Sequence, residues 1–253
     1  MSTDAVVDKA FSRGTAAKYD SLTPRQAGLV VAFTMLIGTP FAPFAEFGVF
    51  HKLILPGDIG QTATNILGHN KLFLTGIFFL IVNYVLDVVI AWGLYFLFAP
   101  VNRSLSLLAA WFRLVFTAIG LFSVLHLVTA FRLLNEPAYL TAFGPDQLHA
   151  QLMLLLNSFR SDWSIGLLIF ALHLVLVGYL IYRSGYIPKI IGILLVINGL
   201  AWIVNSLHPY FFPSMHLDFL FVAYFGELIL MLWLLARGWV LPESIETRAR
   251  APT

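Results

Sequence analysis

The sequence predicts an all-α polytopic membrane protein with six transmembrane helices, and two observations carry this prediction. Of the 253 residues, 59% are hydrophobic and only 11% are charged, with a mean hydropathy of +0.85. Soluble domains carry about 25% charged residues, so this chain has too few to cover a water-facing surface. The apolar residues also fall into six long stretches, and a helix needs about 20 of them to cross a bilayer. We therefore expect a cytoplasmic N-terminal tail over 1–25, one transmembrane domain over 26–238 and a cytoplasmic C-terminal tail over 239–253.

Composition also narrows the classes of function. The absence of cysteine excludes disulfides and thiolate sites. A net charge of +2 gives no indication of nucleic-acid binding, and no nucleic-acid partner is expected. The first residues are polar and lack the apolar core of a cleaved signal peptide, so the first span is expected to act as an uncleaved anchor.

The first span is predicted from about Ala27 to Phe50, with a break in its outer half. Pro40 and Pro43 each remove a backbone donor, which predicts a kink or an unwound stretch between Thr39 and Phe44. Irregular backbone at this depth is tolerated where it is buried in protein or lines a cavity. The break is therefore the first sign of a possible internal site.

Two short interfacial helices are expected on the outer side. Asp58, with Gln61 three residues later, has the form of a helix cap and predicts a short helix that ends near His69. The second is predicted to begin at Gly144 and to lie over the bundle, separate from the fourth span. Its apolar face is Leu148, Leu152, Leu155, Leu156 and Phe159.

The remaining spans are joined by short loops. We predict the second span over about 72–98, the third over about 105–134, the fourth over about 163–182, the fifth from the loop that ends at Lys189 to about Leu207, and the sixth over about 217–236. If both ends lie inside, ten basic residues flank the inner side and four flank the outer side. This bias predicts cytoplasmic N- and C-termini by the positive-inside rule.

Eight sequence blocks resemble the pattern of a bacterial membrane family known only as domain of unknown function 4386. They are Leu55-Pro56-Gly57-Asp58, Pro100-Val101-Asn102-Arg103, Phe112-Arg113-Leu114, Gly144-Pro145-Asp146-Gln147-Leu148, Leu172-His173-Leu174, Gly178-Tyr179-Leu180, Ser184-Gly185-Tyr186-Ile187-Pro188 and Gly226-Glu227-Leu228. The similarity runs from about Gln26 to Gly238, and the long N-terminal tail departs from the pattern. The resemblance implies six helices in a bacterial inner membrane, and it implies no reaction.

A layer of polar residues is predicted near the middle of the bilayer. Each of its central members lies nine or ten residues from the inner end of its span, which is about 13–15 Å at the helical rise of 1.5 Å per residue. The members are Asp87, Arg113, His173, Asn198 and Glu227, with Asn83 one turn from Asp87. A charged residue at this depth costs several kcal/mol unless it is compensated, so Arg113 requires a partner in the same layer.

Asp87 is the preferred partner of Arg113, because a tight loop makes the second and third spans neighbours. The planar guanidinium could also hold Glu227. Two interpretations remain open. The layer either joins helices, as polar residues do in bundles, or it forms a small polar cavity that binds a solute or relays protons.

A second group of histidines and carboxylates is predicted near the outer face. Such residues could ligate zinc and activate water, as in membrane-embedded hydrolases. None of them shows the spacing of a helical zinc motif, and outer boundaries ordinarily collect polar residues. The group is Glu46, His126, Asp162, His208, His216 and Asp218.

Three functions follow as alternatives. The first is a membrane protein that binds or transports a small solute or protons at the midplane layer. The second is a membrane enzyme, with or without zinc, that acts on a lipid or isoprenoid substrate. The third is a structural or accessory subunit whose partners, beyond membrane lipids, the sequence does not specify.

Overall fold

A computed structural model describes residues 22–211 and 225–243, apart from the side chains of 209 and 210. These residues form helices and no strand. The principal helices are α1 (Pro24–Gly38), α2 (Ile59–Gly68), α3 (Asn70–Phe98), α4 (Arg103–Asn135), α5 (Pro137–Ala142), α6 (Pro145–Ser184), α7 (Lys189–Phe211) and α8 (Gly226–Arg237). α1 is continued by a short helical segment (Phe41–Pro43), a π-helix (Phe44–Phe50) and a second short helical segment (His51–Leu53). Gly238–Val240 follows α8 as a 3-10 turn.

The all-α polytopic membrane fold is confirmed. Five segments within the described residues are long and apolar enough to cross a bilayer, namely Pro24–Leu53, Asn70–Phe98, Arg103–Asn135, Pro145–Ser184 and Lys189–His208. The sixth predicted span lies partly outside the described residues, and α8 is the part of it that the structure describes. Most of the two predicted tails also lies outside them. Large apolar side chains such as Phe47, Phe78 and Leu154 point outward, as a lipid-facing surface requires.

The long helices form a closed ring. α3 packs between α1 and α4, α6 packs between α4 and α7, and α8 closes the ring by packing against both α7 and α1. The hydrophobic core runs through all of these helices. Side chains that point inward from six helices therefore converge on one interior.

The first span is broken where its two prolines predict irregular backbone. α1 ends at Gly38, and the backbone turns at Thr39 and Pro40 before the π-helix begins at Phe44. Neither proline has an N–H to donate to the preceding turn. The carbonyl of Met35 accepts from the backbone N–H of Thr39 at 2.7 Å and also from its hydroxyl at 2.7 Å, so regular helical hydrogen bonding extends to Thr39. π-Helical turns are rare and are frequently found at functional sites.

The structure contains one of the two short helices that the sequence predicts for the outer side. The first is present as α2, and the carboxylate of Asp58 accepts a hydrogen bond from the backbone N–H of Gln61 at 2.9 Å. The second is not a separate helix, so that prediction is wrong. Its residues are the first turns of α6, which continues unbroken for 40 residues, or about 60 Å. No proline or glycine interrupts the helix between Pro145 and Gly166, and most of the predicted apolar face, including Leu152, is buried in the core.

α6 and α7 approach each other closely through glycines. A methyl group added at Gly178 would lie 2.6 Å from the carbonyl oxygen of Gly192, and one added at Gly199 would lie 2.7 Å from the carbonyl oxygen of Ala171. Small residues allow such backbone contact between membrane helices. This contact sets the position of α6, which carries His173 into the interior.

Candidate functional site

Arg113 lies at the centre of the helix ring and contacts Asp87 directly. The side chain of Arg113 is 4% exposed and that of Asp87 is 7% exposed. The guanidinium Nε donates to Oδ1 of Asp87 at 3.0 Å, and Nη2 donates to the same oxygen. The neighbouring α3 and α4 thus bring together the two residues that the sequence paired.

The second carboxylate also reaches Arg113. Nη1 donates to Oε1 of Glu227 at 2.8 Å, and the side chain of Glu227 is 23% exposed. Asp87 and Glu227, which the sequence offered as alternative partners, therefore hold opposite parts of the same guanidinium. α8 supplies Glu227 from the far side of the ring, where it packs against α1 and α7.

His173 completes the group, and its hydrogen bonds define its protonation. Nδ1 lies 2.8 Å from the carbonyl oxygen of Ala109, and Nε2 lies 3.2 Å from Nη1 of Arg113. A carbonyl oxygen only accepts, so Nδ1 carries the hydrogen, and Nε2 accepts from the arginine because a guanidinium only donates. His173 is therefore a neutral imidazole. We call Asp87, Arg113, His173 and Glu227 the Arg113 cluster.

The cluster uses most of the hydrogen-bonding capacity of Arg113. A guanidinium has five N–H groups. The four contacts to Asp87, Glu227 and His173 use four of them. The ring of Phe170 lies 5.2 Å from the guanidinium carbon and adds a cation–π contact. The arginine is consequently held in a single geometry.

A cavity of about 180 Å³ adjoins the cluster. This volume is sufficient for several water molecules, since one needs roughly 10–15 Å³ of such space. The cavity is lined by Met35, Gly38, Thr39, Asn83, Leu86, Asp87, Ile90, Arg113, Phe116, Phe170 and Glu227. The broken end of α1 thus forms one wall, and the two carboxylates form part of another. We call this space the Arg113 cavity.

Each carboxylate has one oxygen that is not engaged in the cluster. Oδ1 of Asp87 and Oε1 of Glu227 accept the hydrogen bonds from Arg113. Their other oxygens receive no hydrogen bond from the described part of the chain. Both residues line the Arg113 cavity. The cavity therefore offers acceptor oxygens to a ligand.

The two asparagines of the predicted layer occupy different places. Asn83 lines the Arg113 cavity. Asn198 is 1% exposed and packs against Gly226, where an added methyl group would lie 3.1 Å from Nδ2 of Asn198. Its Oδ1 has no hydrogen-bond partner among residues 22–211 and 225–243. Asn198 is next to the Arg113 cluster in the packing and outside its hydrogen-bond network.

Tyr84 is a polar residue that the sequence reasoning missed. It lies one turn from Asp87 on α3, is 2% exposed, and its hydroxyl lies beside the side chain of Ser123. Glu46, on the π-helix, is the other carboxylate close enough to interact with this hydroxyl. Gly120 leaves the space that the tyrosine ring occupies. The three-residue spacing from Asp87 was the available signal.

The outer group of histidines and carboxylates is only partly assembled. His126 and Asp162 are paired at 2.9 Å between Nε2 and Oδ2, whereas Glu46 lies 3.7 Å from His51, which was not predicted. Among the residues that the structure describes, no group of three histidines or carboxylates could hold a metal ion. His208 lies near the end of α7, while the remaining predicted members, His216 and Asp218, lie outside the described residues.

Comparison with known proteins places the chain in a family. An uncharacterized protein of Archaeoglobus fulgidus is 31% identical over 174 residues, which are 69% of this chain and 88% of that relative. No solved structure matches the chain. Residues 27–238 match a family model described as a domain of unknown function, DUF4386, which confirms the resemblance that the sequence blocks carried. The protein is therefore a multi-helix membrane protein of the DUF4386 family.

Proposed function

We propose that this protein binds a small solute in the Arg113 cavity, near the middle of the membrane. The observation that carries the proposal is the cavity itself, which adjoins buried charged groups and the broken end of α1. Ionisable residues inside a membrane protein are costly and ordinarily mark a pathway or a binding site. An ion pair that served only to join helices would be expected to have packed side chains against it instead of an open volume.

The broken first span supports the same proposal. Backbone without regular hydrogen bonds is tolerated at membrane depth where it lines a cavity. Gly38 and Thr39 stand at the break and in the cavity wall.

Thiol labelling tests access to the cavity, and the chain has no natural cysteine to give a background. Asn83→Cys places a thiol in the cavity wall, and Val85→Cys, two residues along α3, places one on the outward face, where Val85 is 54% exposed. In membranes, we expect a water-soluble methanethiosulfonate reagent to modify the Asn83→Cys variant and to leave the Val85→Cys variant unmodified, because the two thiols differ in facing water or lipid. Equal modification of the two variants, or no modification of Asn83→Cys, would contradict the proposal.

The row of polar groups above the cluster favours a second function, proton relay. Tyr84 is close enough to interact with Asp87, Ser123 and Glu46, so its hydroxyl links the cluster to two further polar side chains. Buried chains of carboxylates and hydroxyls are the ordinary elements of proton pathways in membranes. Reconstituted protein would then acidify liposomes under an imposed potential. Glu46→Gln should abolish the flux, whereas the exposed Glu136→Gln should preserve it, and equal flux in both variants would exclude the relay.

The proposed location is a bacterial inner membrane with both termini in the cytoplasm, supported by the ten-to-four distribution of basic residues. A fluorescent protein fused after Thr253 should fold and fluoresce. A periplasmic alkaline phosphatase fused there should be inactive, and the opposite pattern would reverse the orientation.

A further inference from the structure

We propose that the solute of the Arg113 cavity is a small protonated amine with a short apolar part. The inference rests on the proposed function and specifies its ligand. It is carried by the distribution of donors, acceptors and charge in the cavity wall.

The donors of the cavity wall are almost all engaged. Four of the five N–H groups of Arg113 are used within the cluster. The hydroxyl of Thr39 donates to Met35. An anionic ligand would therefore meet one free guanidinium N–H and the amide of Asn83, and its remaining lone pairs would be buried without donors. Such unsatisfied polar atoms oppose binding.

The acceptors, by contrast, are available. Asp87 and Glu227 each retain one oxygen without a donor from the described residues, and Asn83 adds an amide oxygen to the same wall. A primary ammonium group has three N–H donors, as the side chain of lysine does. Three acceptor-bearing side chains can thus receive one ammonium group.

The charge of the cluster points in the same direction. Arg113 supplies one positive charge against two carboxylate groups, and His173 is neutral by its hydrogen bonds, so the cluster has one more acidic than basic group. An unpaired charge in a low-dielectric interior is strongly unfavourable. A monovalent cation brings the formal charge of the occupied site to zero.

The apolar part of the wall distinguishes an amine from a metal ion. Met35, Leu86, Ile90, Phe116 and Phe170 cover much of the cavity, and its volume of about 180 Å³ exceeds what one bare ion requires. A hard cation such as calcium takes about six to eight oxygen ligands, and the side chains of this wall offer fewer. An alkyl group would instead fill the apolar side while its ammonium group contacts the carboxylates.

The inference is tested with three probes of similar size that differ in charge: propylammonium chloride, sodium propionate and 1-propanol. Binding to purified protein in nanodiscs is measured by titration calorimetry and by the shift of the thermal unfolding midpoint, at ionic strength fixed with sodium chloride. We expect propylammonium to bind saturably and to raise the midpoint, and the other two probes to do neither.

Glu227→Gln should weaken propylammonium binding roughly tenfold to a hundredfold, as the loss of a charged hydrogen bond does. Glu136→Gln, which changes an exposed carboxylate, should bind as the unaltered protein does.

A second variant guards against misfolding of Glu227→Gln. Asn83→Leu removes an acceptor and fills the cavity without changing the Arg113 cluster, and it should also abolish propylammonium binding. Tighter binding of propionate or propanol, or the same stabilisation by sodium chloride alone, would overturn the amine assignment and leave a solute site in place. An accessible thiol in the Asn83→Cys variant, with no saturable propylammonium binding by the unaltered protein, would also overturn it. An inaccessible thiol in that variant would refute the proposed function instead, and the amine assignment with it.

Discussion

Replacing Arg113 by leucine is expected to destabilise the protein severely. The substitution removes the guanidinium from two carboxylates and leaves Asp87, whose side chain is 7% exposed, without a donor from the described residues. Breaking a buried ion pair by removal of one partner costs about 3–5 kcal/mol. Nε2 of His173 also loses its donor, and a buried unsatisfied acceptor costs about 1–3 kcal/mol. Costs of neighbouring residues do not add simply, so we expect a total loss of about 3–6 kcal/mol.

Double substitutions identify the principal partner. Arg113→Leu with Asp87→Leu removes the buried pair as a unit, and apolar replacement of such a pair is often close to neutral. It should therefore recover more than half of the loss. Arg113→Leu with Glu227→Leu should recover less, because it leaves Asp87 buried and unpaired, whereas Glu227 is 23% exposed at the cavity wall.

Unfolding in mixed micelles, followed by the fluorescence of the tryptophans, measures these differences. Arg132→Leu is the matched control, because Arg132 lies on the same helix as Arg113, and breaking its exposed pair with Glu136 should have little effect. If the Asp87 double variant were no more stable than Arg113→Leu alone, the assigned pairing would be wrong. If the two double variants recovered equally, the ranking of the two carboxylates by burial would be wrong.

Two further predictions concern the packing that supports the cluster. Gly178→Ala should lower the free energy of unfolding by about 1–3 kcal/mol in the same assay, because the added methyl group would lie 2.6 Å from the carbonyl oxygen of Gly192. Gly68→Ala is the control and should be nearly neutral, because its added methyl group has no atom within 4 Å. His173→Phe should cost about 1–3 kcal/mol, because it leaves an N–H of the guanidinium without its acceptor and removes the second hydrogen bond to the carbonyl of Ala109. Stability equal to that of the unaltered protein would show that water replaces both contacts.

The place of the candidate site could be predicted from residues that are exceptional for their surroundings. A lone arginine in an apolar span requires compensation, so Arg113 is conspicuous in the sequence, and a fixed rise per residue places Asp87, His173 and Glu227 at its depth. The prolines at 40 and 43 likewise predict irregular backbone, because a missing N–H is a property of the residue and does not depend on the fold.

The sequence could not predict the course of α6 or the role of Tyr84. A helical periodicity over Leu148–Phe159 fits both an interfacial helix and the extension of a span, and only the packing of α6 against the core distinguishes them. In the sequence, Tyr84 resembles an ordinary aromatic residue on the apolar face of a helix. Its polar surroundings arise only in the folded protein, where α4 places Ser123 and Gly120 against it.

The sequence by itself determined the fold class and the depth of the polar residues, because hydrophobicity and helical rise act along the chain. Only the tertiary structure decided how those residues meet. Rotation of each helix about its axis and the order of the helices in the ring set the contacts, so both Asp87 and Glu227 hold Arg113 while Asn198 faces Gly226. The Arg113 cavity also belongs to the tertiary structure, since an unfilled volume arises from how six helices fit around their side chains and has no signature in any one of them.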